Sequence, residues 1–385
     1  MFCFLLVLIL SAGLAWGLGL LAMIPWRRAA GAHWTEQARR LFPARKAAMR
    51  FLFLLPACAA LARPWLGPLS ALPWQALAAA AFAGALLGSY PVSHAVYPTL
   101  TTRHWLGLIL IGGALHLLPG WVVLACGIFM PDSFDASAAT IGTAAVAVIV
   151  LNQLGLTLRA VRRAGWIMPA PERLNRIVRA QAVQMGIACR AISVLRHPAA
   201  NAFAFPLLGE LYFTDGLLDS MRDEEIAAIS AHELAHLAES RAARAGRFLG
   251  SLAFLPLVFL RPCVHALGTA GYLLPFLAFA LMARLSRRLS RRLETRADAM
   301  GTGQDATGVY ARALERLYEL NKMPAVLRGK NLTHPHLYDR LIAAGVTPAF
   351  PRPRPPARHA WTEIPVLILL IVLIVFRSLQ IGAGP

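Results

Sequence analysis

Long apolar runs recur along the 385-residue chain, separated by shorter polar segments. A helix needs about 20 mostly apolar residues to cross a bilayer, so each run is a candidate membrane span. The runs cover residues 2–24, 51–70, 74–93, 105–129, 138–158, a pair within 247–283, and about 362–380. Glu363 and Arg377 bound the last run and would have to extend towards the membrane interfaces. We therefore predict an α-helical polytopic membrane protein with seven to eight transmembrane helices, the first of which is retained rather than cleaved.

Positive charge clusters at the ends of the apolar runs, although the chain as a whole carries a net charge of +19. Seven arginines and lysines lie between the first two runs, whereas residues 130–137 contain two aspartates and no basic residue. Because basic loops stay in the cytoplasm, the N-terminus is expected outside and residues 159–244 and 285–360 in the cytoplasm. We therefore expect the chain to lie in a lipid bilayer, and we do not expect it to bind nucleic acid. Its composition, rich in arginine and alanine, favours a bacterial inner membrane.

The polar segments have the pattern of a small folded domain. Residues 171–186 predict an amphipathic helix, and residues 191–197, 201–205 and 210–216 predict short strands. Ser220, three residues before Asp223, resembles the start of a capping box at the next helix. Five scattered cysteines form no CxxC pair, so neither a disulfide framework nor a cysteine metal site is predicted.

The predicted domain organisation alternates membrane and polar parts. It consists of five N-terminal spans (1–158), the first part of a small α+β domain (159–246), a transmembrane hairpin (247–284), the second part of that domain (285–346), a proline-rich linker (347–360) and a C-terminal apolar helix (361–385).

The segment ISAHELAHLAES, residues 229–240, carries the chemistry. On a helix, His232 and His236 lie on one face about one turn apart and can offer two imidazole nitrogens to one Zn²⁺. Glu233 then lies beside the open coordination position, where a general base can take a proton from water. A polar helix face with two unrelated histidines is the alternative.

A tetrahedral zinc site needs another protein ligand, and the segment SRRLETRADAMG offers one. Glu294 and Asp298 are four residues apart and share a helix face. One of them can coordinate zinc while the other accepts a hydrogen bond from a ligating histidine. Both could instead pair with neighbouring arginines.

Four segments together resemble a family of membrane zinc metalloproteases that includes the type I CAAX prenyl endopeptidase and the HtpX-like proteases. The segments are DEEIAAISAHELAHL, NAFAF, SRRLETRAD and THPHLYDRL, and the resemblance covers roughly residues 170–345. It implies a gluzincin domain, a zincin whose third ligand is a glutamate. One zinc ion per chain would be held by His232, His236 and Glu294, with Glu233 as catalytic base and Asp298 as a supporting residue.

The same resemblance implies how substrate is held. Asn201, Ala202, Phe203 and Ala204 match the strand whose edge pairs with the substrate backbone in such proteases. The chain departs from the family's glycine-rich continuation after NAFAF, which leaves substrate preference open. The partners expected are proteins or peptides that reach the membrane.

THPHLYDRL contributes His334 and Arg340. In similar proteins the corresponding residues lie near the zinc site, where each could stabilise the oxyanion or occupy the open coordination position of a resting state. A direct catalytic part and a structural or gating part both stay open.

The sequence thus predicts a zinc metalloendopeptidase of the membrane. An intramembrane protease of the site-2 type also uses HExxH, but within a strongly apolar span, whereas charged residues flank the motif here. A membrane scaffold or transporter with a retained but silent zinc site is the non-enzymatic alternative.

Overall fold

The computed structural model of the chain describes residues 2–65, 67, 74–116, 118–303, 308–329 and 335–382. These residues are mostly helical and include one small sheet. The helices are α1 (Phe2–Ala22), α2 (Ile24–Arg27), α3 (Trp34–Ala62), α4 (Trp74–Gly88), α5 (Tyr90–Val96), α6 (Thr102–His116), α7 (Leu118–Phe129), α8 (Ala136–Gln153), α9 (Leu156–Arg163), α10 (Glu172–Met185), α11 (Asp215–Ser220), α12 (Asp223–Leu237), α13 (Arg241–Ser251), α14 (Leu260–Leu267), α15 (Leu273–Gly303), α16 (Val309–Leu320), α17 (Leu337–Ala343) and α18 (Glu363–Gly382). The strands are β1 (Ile167–Pro169), β2 (Ala191–Leu195), β3 (Ala202–Phe205) and β4 (Glu210–Thr214).

Five helical runs in the described part of the chain are long and apolar enough to cross a membrane. They are Cys3–Arg27, Trp34–Trp65, Ala76–Val96, Ala136–Gln153 and Arg241–Gly303. The count of seven to eight spans stays a prediction. The apolar run 105–129 is divided between α6 and α7, and the predicted hairpin lies within the single run that ends with α15.

The chain forms two compact units. Unit 1 comprises Met1–Trp105, Tyr318–Arg328 and Ala349–Pro385, and unit 2 comprises Leu106–Leu317 and Gly329–Pro348. The domain boundaries inferred from the sequence stay a prediction.

Within unit 1, α1 and α4 pack with their backbones in direct contact. Gly84 and Gly88 lie one turn apart on α4 and face the carbonyl oxygens of Leu8 and Ala12 on α1. A β-carbon at either position would overlap those backbone atoms, so only glycine permits this approach. Small residues spaced by four are typical of helix contacts in membranes, where close packing takes the place of the hydrophobic effect.

At the start of α18, also in unit 1, Glu363 is fully buried and does not extend to an interface as expected. Its Oε2 accepts a hydrogen bond from Arg50 of α3 at 2.6 Å and lies 2.9 Å from His359 Nδ1. Its Oε1 accepts one from the backbone N–H of Ala360 at 2.8 Å. A buried carboxylate requires such partners, so Arg50 joins α3 to α18 through an ion pair.

Unit 2 contains the sheet, with strand order β1-β2-β4-β3. β2 and β4 are parallel, whereas β1 and β3 are antiparallel to their neighbours. The strands predicted over 191–197, 201–205 and 210–216 are confirmed, as is the helix predicted over 171–186. The sequence analysis missed β1, which is only 3 residues long and too short to show a periodicity. β3 forms one edge of the sheet, and α12 packs against it.

The start of α12 differs from the expected one. Ser220 ends α11 instead of capping the next helix, so the predicted cap is wrong. The capping residue is Arg222, whose backbone N–H donates to Glu225 Oε2 at 2.9 Å. Three acidic residues in the first turn, Asp223, Glu224 and Glu225, also suit the positive end of the helix.

Candidate metal centre and active site

The helix α12 carries His232, Glu233 and His236 on its buried side. The two imidazole ring centroids are 5.1 Å apart and the ring planes stand at 84° to each other. This is the one-turn spacing expected from the sequence, and α12 is helical throughout the segment. Both ring systems can therefore turn one nitrogen towards a common point.

A carboxylate from α15 completes the cluster. Glu294 is buried, with Oε2 at 3.5 Å from His232 Nε2 and Oε1 at 3.6 Å from His236 Nε2. One ligand atom from each of these residues lies within 4.8 Å of the others. Two ligands about 2.1 Å from a tetrahedral Zn²⁺ are about 3.4 Å apart, so the donors fit that ion in both chemistry and spacing.

Three side chains support His232 on the side away from Glu294. Asp298 Oδ1 lies 3.2 Å from His232 Nδ1, and the Tyr310 hydroxyl lies 2.7 Å from the same nitrogen. Tyr310 donates to Asp298 Oδ1 at 2.7 Å. Arg340 donates to both Asp298 oxygens, at 2.9 Å from Nε and 2.6 Å from Nη2. Accepting groups at Nδ1 keep the ring proton there and leave Nε2 for a metal.

A second support of the same kind holds His236. Glu239 Oε1 lies 2.9 Å from His236 Nδ1. Arg247, on α13, donates to Glu239 through Nε at 2.8 Å and through Nη2 at 2.6 Å. Glu239 is buried, so its charge depends on this arginine and on the histidine. Each histidine of the cluster is thus oriented by a carboxylate that an arginine fixes in turn.

The electrostatics of the cluster favour a cation. Burial disfavours the charged form of His232, but hydrogen bonds with Asp298 and Glu294 raise its pKa to about 9. Burial also opposes ionisation of Glu239, yet its hydrogen bonds with His236 and Arg247 lower its pKa. Burial raises the pKa of Tyr310 well above its ordinary value, which keeps its hydroxyl proton in place. Ionised carboxylates in so buried a site attract either a proton or a metal ion.

Glu233 differs from the other acidic residues of the site. Within the described part of the chain, its carboxylate makes no hydrogen bond or ion pair, although it is buried on the same helix as the two histidines. Its charge contributes to the raised pKa of His232. The carboxylate is therefore available to water or to a substrate.

The strand β3 places Ala202, Phe203 and Ala204 at the sheet edge beside α12, and Asn201 immediately precedes it. The Thr214 backbone N–H donates to Asn201 O at 2.9 Å, and hydrogen-bonded pairs alternate along an antiparallel ladder. The backbone groups of Ala202 and Ala204 therefore point away from β4, towards an edge with no strand partner in the described part. Phe203 stacks on a tyrosine of β4 at 5.3 Å between ring centroids.

Of the two residues singled out from THPHLYDRL, the structure describes Arg340, whereas His334 lies outside the described residues. Arg340 is buried and contacts Asp298 and Tyr310, on the far side of His232 from Glu294.

Sequence reasoning missed Tyr310, Glu239 and Arg247. Glu239 follows His236 by three residues, a spacing that places two side chains together on a helix, so its part could have been noticed. Tyr310 had no such signal, because it is brought to His232 only by the packing of the chain.

The chain was compared with protein-family models, curated proteins and solved structures. Residues 170–345 match the model of peptidase family M48. Among solved structures, the chain is similar to Ste24p from S. mikatae, with 15% sequence identity over 89% of this chain and 98% of that chain, and a TM-score of 0.49. No curated protein matches the chain at a significant level.

Proposed function

We propose that the chain is a zinc-dependent endopeptidase of peptidase family M48, whose model residues 170–345 match, and that it acts on membrane-associated proteins or peptides. The observation that carries the proposal is the buried cluster of His232, His236 and Glu294 with Glu233 beside it. The match to family M48 supports a metallopeptidase, and the cluster supports zinc as its metal.

Zn²⁺ would be held by His232 Nε2, His236 Nε2 and one oxygen of Glu294, one ion per chain. When bound there, zinc supplies a Lewis acid that polarises a carbonyl group and makes water a better nucleophile at neutral pH. Asp298 and Glu239 keep the Nδ1 proton of their histidines in place and so set which nitrogen is available.

Glu233 moves the proton. Its carboxylate accepts a proton from the attacking water and returns it to the amine that leaves as the peptide bond breaks. A carboxylate held by an arginine would be a poor base, because the pair favours the ionised form. The absence of such a partner around Glu233, in the part of the chain described here, is what this role requires.

The open edge of β3 is the proposed place for the substrate backbone. An extended peptide that pairs with Ala202 and Ala204 would add a strand next to β3. Because α12 packs against β3, this strand would run close to Glu233. Main-chain pairing holds peptides of many sequences, so the edge fixes the position of the bond more than the identity of the side chains.

We place Arg340 in a positioning role. Its guanidinium is engaged with both oxygens of Asp298, and Asp298 acts on His232 Nδ1. Arg340 therefore orients the histidine through the aspartate. The part of His334, catalytic or gating, stays a prediction.

The basic loops of the sequence and the candidate spans support a multi-pass membrane protein with this site at the cytoplasmic face, and the composition rich in arginine and alanine favours a bacterial inner membrane.

Hydrolysis of an unstructured reporter by the purified, detergent-solubilised protein tests the proposal, with zinc content measured on the same samples. Glu233→Gln keeps the shape of the side chain but removes the base, and we expect equal zinc with a rate at least about 100-fold lower. Glu224→Gln is the matched control, since Glu224 is exposed on the same helix and should leave both quantities unchanged.

Two outcomes would overturn the proposal. Freshly purified protein without zinc would contradict the metal centre. About one zinc per chain, with no cleavage of any protein or peptide offered, would favour the silent scaffold or transporter.

A further inference from the structure

Unit 1 contains a cavity of about 320 Å³ between α3, α5 and Met323. Arg45 and Lys46 of α3 and Ser93 of α5 give it a polar wall, while Phe42 and Val96 give it an apolar one. The Ser93 hydroxyl makes no side-chain hydrogen bond in the described part of the chain. The cavity thus combines two cations and a free hydroxyl donor with hydrocarbon surface.

The basic residues of α3 differ in whether a carboxylate neutralises them. Arg39 and Arg40 both pair with Glu36, at 2.6 and 2.5 Å. Arg50 pairs with the buried Glu363.

The two cations of the cavity have no such partner within the described residues. Arg45 donates to the backbone oxygen of Asn321 at 2.9 Å, and the Lys46 ammonium lies 5.4 Å from the ring centre of Phe42. Neither contact cancels a charge. Because the other arginines of α3 have carboxylate partners and, among the described residues, these two cations do not, Arg45 and Lys46 are available to an anionic ligand.

A third cation strengthens the positive field. Lys322 donates to Ala95 O at 3.0 Å and lies 4.9 Å from the ring centre of Trp26. Its φ angle of 47° is the only positive value at a non-glycine position in the described part of the chain. Burial lowers the pKa of Lys322, and the nearby charge of Arg45 lowers it further.

The cavity lies where α3 changes from polar to apolar. The charged residues of this helix all lie between Glu36 and Arg50, and from Phe51 to Ala62 it carries none. Beside and beyond the cavity, Met49 is 52% exposed and Phe53 is 67% exposed, as expected of side chains that face lipid. A pocket at this level meets both headgroups and the first part of the acyl chains.

We propose that the cavity binds an anionic phospholipid, with its phosphate held by Arg45, Lys46 and the Ser93 hydroxyl. Phosphate is the anion that a cluster of basic side chains between membrane helices accepts at the cytoplasmic side. The apolar wall favours a lipid over free phosphate, because only a lipid places hydrocarbon against Phe42 and Val96.

Native mass spectrometry of the full-length, detergent-solubilised protein tests the assignment, with phosphatidylglycerol and phosphatidylcholine titrated in parallel. We expect phosphatidylglycerol to bind at least about tenfold more tightly. The double variant Arg45→Gln, Lys46→Gln should weaken it about thirtyfold, the effect of two interfacial cations. Arg39→Gln with Arg40→Gln is the matched control, removing the same charge from the same helix without affecting binding.

A second variant keeps both charges and fills the space. Ser93→Leu should weaken phosphatidylglycerol binding as well, and it decides the matter if the double variant fails to fold. Equal binding of the two lipids, or an equal loss in the Arg39 and Arg40 control, would overturn the proposal. Inorganic phosphate that binds as tightly as phosphatidylglycerol would show a site for soluble phosphate and would also refute the lipid assignment.

Discussion

Glu239 gives the sharpest test of how the metal centre is built. In the wild type its carboxylate lies between His236 Nδ1 and Arg247, at hydrogen-bond distance from both. We expect Glu239→Ala to weaken zinc binding while leaving the three proposed ligands in place.

The magnitude follows from two effects with the same sign. The first is loss of the acceptor that holds His236 in orientation, which for such supporting residues costs about 10- to 100-fold in metal affinity. The second comes from Arg247, whose Nη2 lies 3.3 Å from His236 Nδ1. Without Glu239, this N–H would donate to Nδ1 and move the ring proton to Nε2, the nitrogen that faces Glu294. Together the two effects favour the upper part of this range, a loss of about 2–2.8 kcal/mol in the free energy of zinc binding.

Competition with a fluorescent chelator measures the zinc dissociation constant. Glu239→Gln keeps an oxygen acceptor for Nδ1 and should recover most of the affinity. Glu225→Gln is the matched control, because Glu225 is equally buried at the far end of α12. Zinc affinity within twofold of wild type in Glu239→Ala would refute the reasoning.

Three further results are expected. Zinc affinity should rise about tenfold per pH unit between pH 7 and 9 and level off above pH 9, because a metal must displace the proton that His232 holds with a pKa of about 9. Isothermal titration at several pH values measures the affinity, and an affinity that does not change with pH would contradict the expectation. Arg340→Gln should lower the free energy of unfolding by about 1.5–3 kcal/mol, since it removes charge-assisted hydrogen bonds to Asp298, and denaturant unfolding in detergent would show the loss. Gly84→Leu should clearly lower the midpoint temperature of thermal unfolding, because its side chain would overlap the backbone of α1. Gly13→Leu, at a position with open space around it, should leave that temperature unchanged.

Local spacing explains what the sequence could predict. His232 and His236 are four residues apart, as are Glu294 and Asp298, and a helix converts that spacing into a shared face whatever the rest of the fold does. The strands of unit 2 were predictable for the same reason, since alternation and the intervening proline and glycine are local signals.

The supporting contacts were less accessible to such reasoning. Tyr310 and Arg340 reach Asp298 from α16 and α17, and nothing in their own surroundings along the chain indicates the partner. Glu363 shows the same limit in unit 1: hydropathy marks it as the end of an apolar run, but only tertiary packing shows that Arg50 meets it in the interior. The periodicity of a sequence shows which residues share a face of a helix or strand, but it does not show which other element packs against that face.

The separation of the site along the chain has a consequence for biosynthesis. A ribosome that has released residues up to α12 has delivered both imidazoles, but the carboxylate of Glu294 follows only after the helical run between them has been made. The arginine that fixes Asp298 comes later still, at residue 340. On the proposed ligand set, a nascent chain passes through membrane insertion without a competent centre. Truncated products that end before α15 would be inert, so incomplete copies could not degrade their neighbours.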